Sequence, residues 1–205
     1  MRFVLAVFAA LALAPAFPAL AAESAPDEAG AAPRETLVDP VKPTRTEQLD
    51  KLFETLRTTK DESEAEATEN SIAELWLESG SATVDLLMEW TLAAVKEKNL
   101  PQALDYLDRI VTLKPDFAEA WNTRATIHFM NEDFGLSLAD LERVLALEPR
   151  HFGALSGLGT ILREIGEEKR ALEVYRRALA VDPHLTNVQK AVDDLEGKGA
   201  GGRDI

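Results

Sequence analysis

Proton-transfer or metal chemistry in this 205-residue chain would have to draw on three histidines, His128, His151 and His184, and on 36 Asp and Glu side chains. Imidazoles titrate near neutral pH and are common transition-metal ligands. Their placement argues against either use: His128 shares a helical packing phase with Ala94 and Leu162, and His151 and His184 fall in loops. The carboxylates are spread over solvated helix faces, and no pair stands out as a general acid matched to a base. The chain has no cysteine, which excludes disulfides, thiolate nucleophiles, zinc–thiolate sites and iron–sulfur ligation. From Gly153 to Gly159 the sequence Gly-Ala-Leu-Ser-Gly-Leu-Gly has the glycine density of a phosphate-binding loop. It lacks the Lys-Ser/Thr that such a loop needs and lies within a helical pattern, so close helix packing explains it better. No catalytic residue, metal or cofactor is expected.

The charge balance narrows the partners. With 22 Lys and Arg the formal net charge is −14, which repels a phosphate backbone, and no nucleic-acid partner is expected. Residues 22–80 carry −9 and residues 81–205 carry −6, so acidity is densest ahead of the best-patterned part. Arg163, Lys169, Arg170, Arg176 and Arg177 form a local basic cluster, with Glu164, Glu168 and Glu173 as helix neighbours. That mixture reads as a solvated face.

The elements that must position these groups follow in order along the chain. Met1-Arg2 precedes an unbroken apolar run from Phe3 to Ala14, then Pro15, Pro18 and Ala19-Leu20-Ala21. This is the pattern of a secretory signal peptide over residues 1–21, with cleavage expected after Ala21. The apolar run is too short to cross a bilayer, which takes roughly 20 residues. A soluble periplasmic or secreted protein is therefore expected, with no integral membrane segment after cleavage. Residues 22–45 are rich in Ala, Pro and Glu and poor in large apolar groups, as a flexible linker is. A recognition motif around Leu37-Val38 is the alternative. At 46–80 two helices are expected: one capped by Thr46 and facing inward through Leu49, Leu52, Phe53 and Leu56, and one from Asp61 to Leu77. Asp61 to Glu69 holds five acids and no apolar residue but alanine, so the first half of the second helix is expected to be solvated.

From there an internal period dominates. Pro115, Pro149 and Pro183 are 34 residues apart. In the same register stand Leu87, Trp121 and Leu155; Thr91, Ala125 and Gly159; Ala103, Ser137 and Ala171; and Leu107, Leu141 and Tyr175. Side-chain size repeats as well as hydrophobicity. Small residues let two helices approach, large ones fill the gap to the next unit, and each proline ends a helix.

These residues resemble the tetratricopeptide repeat, a helix–turn–helix unit of about 34 residues. The third unit fits best, through Leu155, Leu158-Gly159, Leu162, Gly166, Ala171-Leu172, Tyr175, Ala178-Leu179 and Pro183. Two departures stand out: Arg124 occupies an aliphatic place, and Trp90-Thr91 replace leucine and glycine. The resemblance implies an all-α fold, a right-handed α-solenoid of about three helix hairpins at 84–117, 118–151 and 152–184. Residues 46–80 are expected to add an N-terminal helical hairpin, as a degenerate repeat or cap. Residues 185–197, with Val188, Val192 and Leu195 on one face, are expected to form a C-terminal capping helix, and 198–205 a flexible glycine-rich tail. The layout also looks like that of small exported tetratricopeptide proteins of Gram-negative bacteria.

The family binds extended peptides or partner helices on the face of its first helices, called A here. Carried over by phase, that face holds Met88 and Leu92, then Asn122, Thr126 and Phe129, then Ser156, Thr160 and Arg163. The clamp that some members use for a terminal carboxylate is not implied, because its places hold Met88, Leu92, Thr123, Gly153 and Gly157. The resemblance implies a non-catalytic adaptor or scaffold with a protein or peptide partner. A chaperone-like holder of exported chains is the alternative, followed by a subunit of an envelope enzyme complex.

Overall fold

The computed structural model describes residues 43–201, with side chains for 43–197. The expected signal peptide and nearly all of the expected linker lie outside the described residues. Among the described residues there are nine α-helices and no strand. Three hairpins form the repeats, α3 (Ala82–Lys96) with α4 (Leu100–Leu113), α5 (Ala118–Met130) with α6 (Phe134–Leu147), and α7 (Phe152–Glu164) with α8 (Glu168–Val181). The protein is an all-α helical repeat fold.

The 34-residue period is visible in the backbone. Lys98, Glu132 and Gly166 all take positive φ, at 61°, 62° and 84°. After each, the next N–H returns to a carbonyl five residues back: Asn99 to Ala94, Asp133 to His128 and Glu167 to Leu162, at 2.8–2.9 Å. Only glycine adopts this left-handed conformation freely, so repeat geometry overrides local preference at Lys98 and Glu132. Between α7 and α8 a Cβ at Gly159 would lie 2.5 Å from the Tyr175 ring, which is why the smallest residue stands there. At the same phase Thr91 is fully buried, its hydroxyl donating to the Leu87 carbonyl at 2.8 Å. The first repeat thus closes tightly without glycine.

The chain's last helix, α9 (Thr186–Gly201), buries Val188, Val192 and Leu195 against α8. It covers an apolar end that would otherwise face water. It also continues through residues 198–201, where a flexible tail was expected.

The N-terminal hairpin departs from expectation in several ways. Its first helix, α1 (Arg45–Thr58), is capped by Thr44 rather than Thr46. The Thr44 hydroxyl oxygen accepts from the Glu47 N–H, and the Glu47 carboxylate accepts from the Thr44 N–H. This reciprocal pair satisfies two donors that a helix start leaves open. Arg45, expected at the end of the linker, is helical and donates to the Leu75 carbonyl at 2.8 and 3.1 Å. Asp61 caps α2 (Glu62–Leu77), whose first half is not wholly solvated: Ala65 is buried against α1, and Thr68 is buried too.

The hairpin also does not sit as a preceding repeat would. A degenerate repeat would stack on α3 as α4 stacks on α5, but α1 instead touches α8, and α2 touches α5. Phe152 and Val181 pack into the hairpin's own core of Phe53, Ile72 and Trp76. Leu86 and Trp90 on α3 consequently stay 44% and 47% exposed. The hairpin crosses the edge where A helices begin and B helices end, and Arg150 in that edge reaches Asp50 of α1 at 2.7 Å.

That junction is imperfectly satisfied. Trp76 Nε1 and His184 Nε2 are buried there without hydrogen-bond partners, and the buried Asp182 carboxyl has the Glu69 carboxyl beside it. Burial, and then the charge of Asp182, pushes the Glu69 carboxyl of α2 above its ordinary range. Burial likewise raises Asp182, against the opposing His184 N–H bond. A carboxyl that is raised in the folded state contributes stability present at acid pH and lost as pH rises through its folded value. Asp182→Asn removes one of the two competing charges and keeps the shape. Its thermal midpoint is expected to match the parent near pH 4, the ordinary carboxylate range of about 4, and to exceed it increasingly toward neutrality. A parallel pair of pH profiles would contradict this.

Candidate functional site

The A helices α5 and α7 touch directly, whereas α6 and α8 approach each other less. The A side is therefore the inner face of this part of the stack. A pocket of about 170 Å³ opens on it between α5 and α7. Four of the eight residues expected from phase line it: Asn122, Thr126, Phe129 and Thr160. Ala125, Leu141 and Ile161 give it apolar walls. Ser137, at its base, is fully buried and donates to the Ala125 carbonyl at 2.7 Å, so the base is not left with an open polar group.

The helices present the polar rim in a fixed way. Thr126 donates to the Asn122 carbonyl and Thr160 to the Ser156 carbonyl, each at 3.0 Å. These bonds one turn back hold both hydroxyls against their helices. Thr160 Oγ1 is also 3.1 Å from the Tyr175 hydroxyl. The Asn122 amide donates to Glu119 Oε1 at 3.1 Å. Phe129 leans on Phe134 with ring centroids 5.7 Å apart.

The other four expected residues lie elsewhere. Met88 is 3% exposed and belongs to the core of the first repeat, so it cannot accept a partner's side chain as phase suggested. Leu92 is exposed on α3, away from the pocket. Ser156 bonds back to the Phe152 carbonyl, and Arg163 is half-buried with its guanidinium 4.0 Å from Glu164.

His151, in the loop before α7 where the sequence placed it, connects this face to the N-terminal hairpin. It caps α7 and is 2% exposed. Its Nδ1 accepts from the Ala154 N–H at 3.1 Å, so in the neutral ring Nε2 carries the proton and donates to Glu119 Oε2 at 3.0 Å. Glu119 thus holds Asn122 with one oxygen and His151 with the other, and Trp76 of α2 stacks on the imidazole at 4.0 Å and 9°. Sequence reasoning had no sign of this relay beyond an aromatic residue on α2 and a histidine just before a helix.

Two glycines of α7 also line the pocket, Gly153 and Gly157. A Cβ at Gly157 would meet only the Leu141 methyls, at 3.7 and 3.8 Å. That is ordinary contact, so packing does not require glycine there, although a helix-interior glycine costs about 1 kcal/mol relative to alanine. Among the described residues no three His, Asp or Glu side chains converge as a metal site requires. No described helix is long and apolar enough to cross a membrane.

The fold has counterparts among known proteins. A tetratricopeptide-repeat-containing protein of Rhizobium etli is 44% identical over 157 residues, covering 77% of each chain. The chain belongs to the tetratricopeptide repeat family. Residues 123–185 match the family's repeat directly. Among solved structures, this tetratricopeptide chain resembles the first such domain of Spaghetti bound to an Hsp90 peptide, at a TM-score of 0.55 and 19% identity over 57% of this chain and 93% of that one. It also resembles MamA, at a TM-score of 0.54 and 22% identity over 72% and 84%. At those identities the likeness is one of fold.

Proposed function

We propose that this tetratricopeptide protein is a non-catalytic adaptor, exported to the periplasm or secreted, that binds an extended peptide or partner protein on its A-helix face. The observation that carries this reading is the pocket between α5 and α7, where polar Asn122 and Thr160 frame apolar Phe129, Leu141 and Ile161. Extended peptides need both kinds of contact: hydrogen bonds for their backbone and an apolar recess for alternate side chains. The amide of Asn122 serves the first and the ring of Phe129 the second. The apolar run Phe3–Ala14 followed by Ala19-Leu20-Ala21 supports export. That no acid–base pair stands out in the sequence, and that it has no cysteine nucleophile, supports a binding role over catalysis.

Capture of partners from an envelope fraction tests this. One or two stoichiometric partners are expected, and many unrelated clients would instead favour a holder of exported chains. Asn122→Ala combined with Phe129→Ala is expected to weaken the captured partner's binding at least tenfold, as buried anchor contacts do at about 1–2 kcal/mol or more each. Unchanged affinity in a variant that remains folded by circular dichroism would remove the groove from the proposal.

A further inference from the structure

Gly157 and Gly159 lie two residues apart on α7 and answer different needs. Gly159 is demanded by the chain itself, since a Cβ there would sit 2.5 Å from Tyr175. Gly157 is not: a Cβ there would have ordinary contact with Leu141, and its φ is not in the left-handed region. What glycine does at 157 is omit a side chain that would otherwise occupy the pocket. A helix-weakening residue with no internal packing reason, facing an apolar recess, points to something from outside filling that space.

We propose that Gly157 is a specificity-determining residue, opening a recess for one leucine-, isoleucine- or methionine-sized side chain of a bound extended peptide. This rests on the A-face binding reading above. The size argument is direct, because the pocket holds about 170 Å³, and apolar cavities of about 150 Å³ accept a benzene-sized group. A leucine, isoleucine or methionine side chain fits that volume. The chemistry is set by the walls: Ala125, Leu141 and Ile161 offer no hydrogen bond, and Ser137 at the base already donates to a backbone carbonyl. A charged or amide side chain entering there would lose its water without replacement. At the mouth, the Asn122 side-chain carbonyl is available to a peptide N–H, which would fix the position of the anchor relative to the backbone.

The test uses a displayed library of random twelve-residue peptides, selected on the chain from residue 22 onward and on its Gly157→Ala and Gly157→Val variants. Wild type is expected to enrich peptides with one fixed Leu, Ile or Met, whose replacement by alanine weakens binding at least tenfold. Gly157→Ala, which fits without displacing any neighbour, is expected to fold, gain thermal stability and shift the preferred anchor toward smaller residues. Gly157→Val is expected to lose at least tenfold in affinity for the wild-type peptides. If wild type enriches peptides that depend on Asn122 but carry no fixed aliphatic residue, the recess is not an anchor site. Nor is it one if both folded variants retain the wild-type preference and affinity. In either case A-face binding stands. If no enriched peptide depends on Asn122 or Phe129, the binding reading itself fails and this inference fails with it.

Discussion

Arg124→Ala is expected to destabilise the protein by about 3–5 kcal/mol, the usual cost of removing one partner from a buried ion pair. In a chain of this size that lowers the thermal midpoint by roughly 10 °C, at about 2–4 °C per kcal/mol. Arg124 Nε and Nη2 donate to the two oxygens of Asp140 at 2.8 and 2.7 Å. The remaining Nη1 donates to Asp108 at 2.7 Å, and the guanidinium lies 4.7 Å from the Trp121 ring centroid. The asymmetry between the partners determines the size of the effect. The Asp140 side chain is only 6% exposed, whereas that of Asp108 is 66% exposed. Without Arg124, Asp140 is left beside buried packing with only His128 Nε2 near it, 4.0 Å away, whereas Asp108 turns to water. Asp108→Ala is accordingly expected to cost less than about 1 kcal/mol, as exposed pairs do. The double variant Arg124→Leu with Asp140→Leu is expected to recover most of the loss, since an apolar pair avoids the desolvation of two charges. Chemical denaturation of the four proteins checks this. An Arg124→Ala cost below about 1 kcal/mol would show that Asp140 finds water after all.

That ion pair marks where sequence reading stops. Arg124 appears in the sequence as a departure from the aliphatic residue usual in its place, and the departure is real. Its compensation lies 16 residues away on either side, in Asp108 of α4 and Asp140 of α6. The three charges were visible but their convergence was not, because spacing fixes which face a residue occupies and not which acid an arginine selects there. The repeats themselves were legible because small and large residues recur with the turns and prolines, and local and tertiary demands agree at each of those places. Phase alone also placed Met88 in the groove. Its equivalents Asn122 and Ser156 are polar and partly open, whereas Met88 is drawn into the first repeat's core. The path of the N-terminal hairpin was least legible. Leu49, Phe53 and Ile72 gave its internal packing, but an apolar face does not say which surface it meets. The contact that decides the matter, Trp76 on His151, joins residues in different elements with no shared periodicity.

Trp76→Ala is expected to release that hairpin while the repeats stay folded. Trp76 is 5% exposed, stacked on His151 and flanked by Phe53 and Phe152 at centroid distances of 6.0 and 5.1 Å. Deleting a buried indole of this kind costs about 3–5 kcal/mol. Here the loss falls on one junction, because the repeats have their own cores and α1 and α2 pack chiefly on each other. Against that loss the junction sets Arg150, bonded to Asp50 and 4.3 Å from the Phe53 ring centroid, while His184 Nε2 is already buried there without a partner. Hydrogen exchange should therefore show residues 45–77 losing protection by two orders of magnitude or more, about 3 kcal/mol of local opening, while α5 to α8 change little. Trp76→Phe separates packing from polarity, since it keeps a ring against His151 and removes the unpartnered indole N–H. It is expected to retain most of the protection. The effect should also reach the groove. Once the stack is gone, His151 is free to leave Glu119, and Glu119 is what holds the Asn122 amide. Trp76→Ala is thus expected to weaken peptide binding at Asn122 although no hairpin residue lines the pocket. Uniform loss of protection across all helices would instead mean that hairpin and repeats form one cooperative unit, and that docking of the hairpin is a condition of the solenoid rather than an addition to it.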